Sequence, residues 1–254
     1  MRLTLLVSVL LLTATSCGAK KPAGPTEIAG DCQPVYGGSI CTWAEMADSQ
    51  LIAFGATVPL TTIDSAPHEM AMSWPPVPGA VIRLPEVARA AVGVDHLSVF
   101  WEAHGHPPGP FLTPHFDFHF YVISDSAREA IDCSNTTKPQ AIPAKYTLPD
   151  VDIPKLGMLT GLCVPKMGMH ALPEEFATGT APFTGSMVFG YYAQRPIFYE
   201  PMISRAMLQE RRSFSLPVPP EGDLPKGVQY PSKFEAVYDS TTPAYRFVFS
   251  GFSQ

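Results

Sequence analysis

Residues 115–122 read His-Phe-Asp-Phe-His-Phe-Tyr-Val, polar and apolar in strict alternation. Imidazole and carboxylate groups ligate zinc, iron, manganese or copper, and they also carry protons near neutral pH. An alternation of period two is the mark of a strand. It sets His115, Asp117, His119 and Tyr121 on one face, and Phe116, Phe118, Phe120 and Val122 on the other.

Upstream, Leu97-Ser98-Val99-Phe100-Trp101-Glu102-Ala103-His104 reads as a partner strand. The link Gly105-His106-Pro107-Pro108-Gly109-Pro110 is a turn by composition. If Val99 and Trp101 share a face with Phe120 and Val122, opposed residue numbers must sum to an odd value. A sum near 221 sets His106 opposite His115, His104 opposite Asp117 and Glu102 opposite His119. Opposed Cβ atoms lie about 4.5–5.5 Å apart, so imidazoles and carboxylates would crowd one face of two strands.

Spacing limits which of them share one ion. His115 and His119 are four residues apart, about 13 Å along a strand, and could meet one ion only from opposite sides. The expected ligands are His106, His115 and either His119 or Asp117, with His104 in the same crowd. A further ligand is expected from His170, in Cys163-Val164-Pro165-Lys166-Met167-Gly168-Met169-His170. Glu200, in Phe198-Tyr199-Glu200-Pro201, is a candidate ligand or acid/base. Asp117, Glu102 and Glu200 are the candidate catalytic carboxylates, as general base or as groups that orient a ligand. Zinc is the first expectation for the metal, with iron, manganese and copper as alternatives. Copper would draw on Met167 and Met169 beside His170, or on Met70 and Met72 beside His68. His68 and His96 read as hydrogen-bonded core residues. For the cluster itself, the alternative to a metal is a polar network or a solvated sheet face.

The elements that must hold these residues are short. The chain has 28 prolines and 19 glycines in 254 residues, and each proline blocks a helix interior, so long helices are excluded. Helical patches are expected at Trp43–Ser49, Glu86–Ala91, Ala127–Ile131 and Pro201–Glu210. Strands are expected at Val81–Leu84, His96–His104, His115–Ser124, Gly185–Tyr192, Lys233–Tyr238 and Tyr245–Phe252. Short links between successive strands imply a mainly β fold: one antiparallel, barrel-like or sandwich domain with short peripheral helices.

The first residues read as an address. Met1-Arg2 is followed by a nearly all-aliphatic run from Leu3 to Leu12, too short to span a bilayer, which needs about 20 residues. Residues 1–16 are expected to be a secretory signal. Ala14-Thr15-Ser16-Cys17 resembles a lipobox, which would make Cys17 lipidated and the mature N-terminus. Residues 17–27 are then a polar, proline-bearing linker and 28–254 one domain. Cys32, Cys41, Cys133 and Cys163 form an even set, as an exported disulfide protein would have. Local pairing, Cys32–Cys41 and Cys133–Cys163, is favoured, and no C-x-x-C spacing supports a thiolate metal site.

The formal net charge of −6, with no basic run, argues against a nucleic-acid partner. The sequence contains no G-x-S-x-G, H-E-x-x-H or glycine-rich phosphate loop.

A resemblance accompanies these residues. Gly105-His106-Pro107-Pro108-Gly109, Pro114-His115-Phe116-Asp117-Phe118-His119-Phe120-Tyr121, Met167-Gly168-Met169-His170 and Phe198-Tyr199-Glu200-Pro201-Met202-Ile203 resemble a family of exported bacterial proteins sharing a domain of unknown function. The likeness runs from about Thr57 to the C-terminus. The chain departs from the family pattern at Pro107 and Ala171, where relatives carry an acidic and an aromatic residue. The resemblance implies a shared fold and a histidine site, without an established activity.

The expectation is therefore a lipid-anchored envelope protein that binds metal, held to a membrane by its N-terminal lipid. If the source has two membranes, it would sit on the outer one, facing the periplasm. Whether it is an enzyme, a metal-binding module or a metal-free structural or stress-associated component turns on ligand count: three protein donors plus water favour catalysis, four favour structure or storage. A small-molecule substrate is unspecified, and a homo-oligomer is left open.

Overall fold

The structure is a computed structural model that describes residues 24–71, 73–179, 182–219 and 230–252. The expected signal, Cys17 and residues 17–23 of the expected linker lie outside these residues, as does Met72. Chain order gives β1 Thr26–Val35, β2 Gly38–Ala47, β3 Gln50–Pro59, β4 Ala80–Arg83 and β5 His96–Glu102. Then come β6 His115–Tyr121, β7 Tyr146–Thr147, β8 Val151–Ile153, β9 Gly157–Leu159 and β10 Met169–Pro173. The last are β11 Gly185–Tyr192, β12 Arg195–Ser204, β13 Phe214–Pro217, β14 Lys233–Asp239 and β15 Ala244–Ser250. Among the described residues five short α-helices join them: α1 Leu60–Asp64, α2 Glu86–Val92, α3 Asp125–Glu129, α4 Glu174–Ala177 and α5 Arg205–Gln209.

Every strand pairing is antiparallel. One sheet runs β1-β2-β3-β15-β14-β13, a second β4-β5-β6-β12-β11-β10-β7, and β8-β9 form a separate hairpin. Both large sheets are open, so the architecture is a sandwich and not a barrel. The phenylalanine face of β6 makes the inter-sheet core. Phe118 meets Phe247 edge-on at 4.8 Å, and Phe120 meets Phe249 at 5.0 Å. Phe54 stacks on Phe249 from the same side at 5.3 Å. Each such ring contributes roughly 1.5–3 kcal/mol by leaving water, which fixes which face of β6 points inward.

The opposite, histidine face is also buried. A second cluster, including Phe111, Ile131, Leu162, Leu172, Phe183 and Phe198, covers it. All seven residues of β6 are buried as a result. The solvated sheet face that alternation alone permits is excluded.

Two helical expectations fail. Trp43–Ser49 is mostly strand, the end of β2, which is paired on both sides by β1 and β3. An isolated seven-residue helix is marginal, and two ladders outweigh it. Residues 201–204 finish β12. The helix begins only at Arg205, where Ser204 Oγ accepts from the Met207 N–H at 3.2 Å. The expected linker also gives up its last two residues, because β1 starts at Thr26. Both expected disulfides form, Cys32–Cys41 and Cys133–Cys163, as suits an oxidising compartment. Among the described residues no helix is long and apolar enough to cross a membrane.

Candidate metal centre

The β5–β6 ladder has the expected odd parity but a different register. Trp101 faces Phe116, Val99 faces Phe118 and Glu102 faces His115, so opposed numbers sum to 217. The connection is longer than expected because residues 103–114 fold into a compact loop around a 3-10 turn at Gly109–Phe111. His104 and His106 therefore leave the ladder.

His106 nevertheless reaches the site. The loop doubles back at Gly105, and the His106 N–H donates to the Phe111 carbonyl at 3.1 Å. Gly105 has φ +67°, and a Cβ there would lie 2.0 Å from the Phe111 oxygen, so only glycine permits the approach. His104 does not join. It is exposed, with Nε2 3.2 Å from Glu69. His68 is exposed rather than core, whereas His96 is buried with Nδ1 3.2 Å from Asp95.

Two groups of three donors assemble on the buried face. His106, His115 and Asp117 form one, and His119, His170 and Glu200 the other, with the donor atoms in each within 4.8 Å of one another. In the first, the two histidine Nε2 atoms are 3.2 Å apart. His115 Nε2 lies 3.2 Å from Asp117 Oδ1, and His106 Nε2 lies 3.7 Å from Asp117 Oδ2. In the second, His119 Nε2 lies 3.4 Å from Glu200 Oε2. Ligands at about 2.1 Å around a tetrahedral zinc are about 3.4 Å apart, which these spacings match.

Backbone carbonyls orient three of the four rings. His115 Nδ1 donates to Thr113 at 2.7 Å, His106 Nδ1 to Pro107 at 2.9 Å and His170 Nδ1 to Leu162 at 3.0 Å. A carbonyl can only accept, so each Nδ1 carries a proton and each Nε2 turns a lone pair or a second proton to the cluster. Leu162 adjoins Cys163, so the Cys133–Cys163 disulfide anchors the carbonyl that holds His170.

His119 sits among rings. Phe198 packs edge-on to it at 4.5 Å and lies 5.2 Å from His170. Phe198 fits because Gly190 on β11 is its ladder partner, where a Cβ would come within 2.0 Å of the ring. Glu200 arrives on β12, two positions from Met202, which faces Asp117. The pairing between β12 and β6 lapses at Glu200 and Pro201, where proline has no N–H to give.

Several of these polar atoms are buried without a hydrogen bond. Asp117 Oδ1, both ring nitrogens of His119 and Glu200 Oε2 have no aligned partner. The short approaches to Asp117 Oδ1 and Glu200 Oε2 are contacts between donor atoms, not formed hydrogen bonds. Buried polar groups in this state cost stability, and a cation between them removes the deficit. The donor set thus fits a divalent ion.

The electrostatics agree. Burial raises Glu200 well above the ordinary carboxylate range, and the Asp117 charge adds to it. Burial also raises Glu102, again with Asp117. Asp117 runs the other way, because the imidazoles of His115 and His106 beside it outweigh its burial and hold its carboxyl below the ordinary range. Burial lowers His119 well below its usual value and brings His170 to about 4. Burial would lower His106 too, but the Asp117 carboxylate beside it lifts it to about 9.

His106, Asp117, His119, His170 and Glu200 form the floor of a cavity of about 140 Å³ with apolar walls, among them Trp74, Phe100, Leu162, Val164 and Met167. Glu102 and His104 are at its side. Of the expected residues, His106, His115, Asp117, His119, His170 and Glu200 come together. Glu102 stands beside the first group without joining it. Among the described residues, the methionines named for copper stand elsewhere. Met169 packs on Gly161 in the core, Met167 lies with Phe100 and Val164, and Met70 accepts from the Tyr36 hydroxyl. The sequence reading keeps these donors in one cluster, whereas the structure divides them into two groups. The signal for it was available, because same-face neighbours Asp117 and His119 need different partners across the sheet. Compared with protein families, curated proteins and solved structures, the chain finds no match.

Proposed function

We propose that this chain is an exported, lipid-anchored protein that binds a divalent transition metal on the His/Asp/Glu cluster and offers it to a small organic ligand in the cavity above. The observation that carries this reading is the orientation of His106 and His115, each with Nδ1 given to a carbonyl and Nε2 turned to buried Asp117, with His170 fixed in the same way through Nδ1 beside Glu200. Zinc is the first choice, since the donors are nitrogen and oxygen at tetrahedral spacing. The metal would act as a Lewis acid or lower the pKa of bound water.

Three protein donors per group, with a cavity beside them, support an exchangeable or catalytic site over a closed structural one. Asp117 and Glu200 are then ligands, and Glu102 is the carboxylate left to take a proton. Membrane attachment through Cys17, on the outer membrane where the source has two, belongs to the same reading, as does kinship with the exported family.

The test is elemental analysis of the purified chain after reconstitution with zinc, beside a His115→Ala/His119→Ala variant. The expected result is bound zinc that the variant loses. Content below about a tenth of an equivalent sinks the proposal and leaves a metal-free proton network in its place. Cys17→Ser should release the protein from membranes, and continued retention would refute the anchor.

A further inference from the structure

The six donors do not form one group. Each triad is compact within itself, but the six atoms are not all within 4.8 Å of one another, so no single ion takes all of them at bonds of about 2.1 Å. The strand explains the division. His115, Asp117 and His119 occupy successive same-face positions on β6, roughly 6.6 Å apart at each step. Asp117 turns toward the loop histidine His106, while His119 turns toward His170 on β10 and Glu200 on β12. The two carboxylates are diagonal neighbours at the middle, since Met202 faces Asp117 and Glu200 lies two positions before Met202 on β12.

Both halves carry the same marks of readiness. Each has one carboxylate, at least one histidine fixed through Nδ1, and a buried carboxylate oxygen with no aligned partner, Asp117 Oδ1 in one and Glu200 Oε2 in the other. Neither half would be satisfied by an ion in the other. We propose that the site is a two-ion centre, one ion on His106, His115 and Asp117, its neighbour on His119, His170 and Glu200, with the two carboxylates between them.

This rests on the metal reading above and goes further in stoichiometry and in ligand class. Two-ion sites hold their metals roughly 3.5–4 Å apart and clamp an oxygen anion between them. Two divalent ions outweigh the charge of Asp117 and Glu200 even with Glu102 ionised, so the floor would be positive. Apolar walls above a positive floor select a small molecule with an anionic head and an apolar body.

Cobalt titration of the detergent-solubilised full chain tests this, read by bound metal per chain and by electron paramagnetic resonance. The expected result is about two equivalents, with the signal of the first ion altered by the second. His106→Ala and His170→Ala should each hold about one equivalent. A wild-type chain that saturates at one equivalent overturns the two-ion centre and leaves the metal reading standing. Two ions with independent signals overturn the shared carboxylates. No bound cobalt overturns both readings. The wild-type stoichiometry decides even if a variant fails to fold.

Discussion

The Nε2 atoms of His106 and His115 lie 3.2 Å apart although both rings give their Nδ1 protons to backbone carbonyls. Two lone pairs cannot face each other at that distance in a buried site without a proton or a cation between them. In the metal-free chain the proton is on His106, and a bound metal takes its place.

Metal affinity should therefore depend on pH. Burial would depress His106, but Asp117 lifts it to about 9. Its folded value is above its unfolded one, so its contribution to metal-free stability is complete below an ordinary histidine pKa and is lost as pH rises through about 9. Metal must displace that proton, so apparent zinc affinity should rise about tenfold per unit between pH 7 and 9, then level off. Competition titrations against a chelator across this range check it. A flat profile would remove the proton from the metal's position.

The Cys133–Cys163 disulfide should matter more to one half of the site than to the other. It spans 30 residues, and in the chain-entropy account a loop of that size contributes about 3–4 kcal/mol. It also holds the segment whose Leu162 carbonyl orients His170. A Cys133→Ser/Cys163→Ser variant should lose roughly 10–100-fold in affinity at the His170 group. The His106 group should keep its affinity. Equal losses at both, in a two-site metal titration, would make the effect one of general stability.

Much of this could be read before the fold was known, and the failures have physical causes. Alternation in residues 115–122 identified the strand, its two faces and the parity of its partner. Parity depends only on which side chains are apolar, whereas register depends on how a loop closes. Nothing local showed that Gly105 would turn the chain back on itself. β12 was hidden because Pro196 and Pro201 argue against a central strand, yet it supplies Glu200. The pairing of β1, β2 and β3 is long-range, and a weak helical pattern at Trp43 could not reveal it.

Ligand binding should require the metal. The cavity of about 140 Å³ is close to the roughly 150 Å³ that accepts benzene in an engineered apolar core. Benzoate, with a ring for the walls and an anion for the floor, should bind the zinc-loaded chain at least about tenfold more tightly than the metal-free one. Acetate, with no ring to bury, should bind more weakly than benzoate. Calorimetric titration distinguishes these cases. Equal benzoate affinity with and without zinc would place its carboxylate away from the ions.

Glu200 separates the stability of the site from its chemistry. It is 2% exposed, and burial, reinforced by the Asp117 charge, pushes its carboxyl well above the ordinary range, toward the neutral form. A glutamine has nearly the same shape and is also neutral. Glu200→Gln should therefore leave the metal-free melting temperature within about 3 °C of wild type. The same variant lacks the anionic oxygen that a cation needs, so it should lose the ion on His119 and His170. With it goes the extra stability that metal confers, about 2.7 kcal/mol when free metal is a hundred times its dissociation constant. Thermal unfolding with and without zinc reads both effects. A large loss of metal-free stability would mean that Glu200 is ionised in the buried site and held there by the histidines beside it.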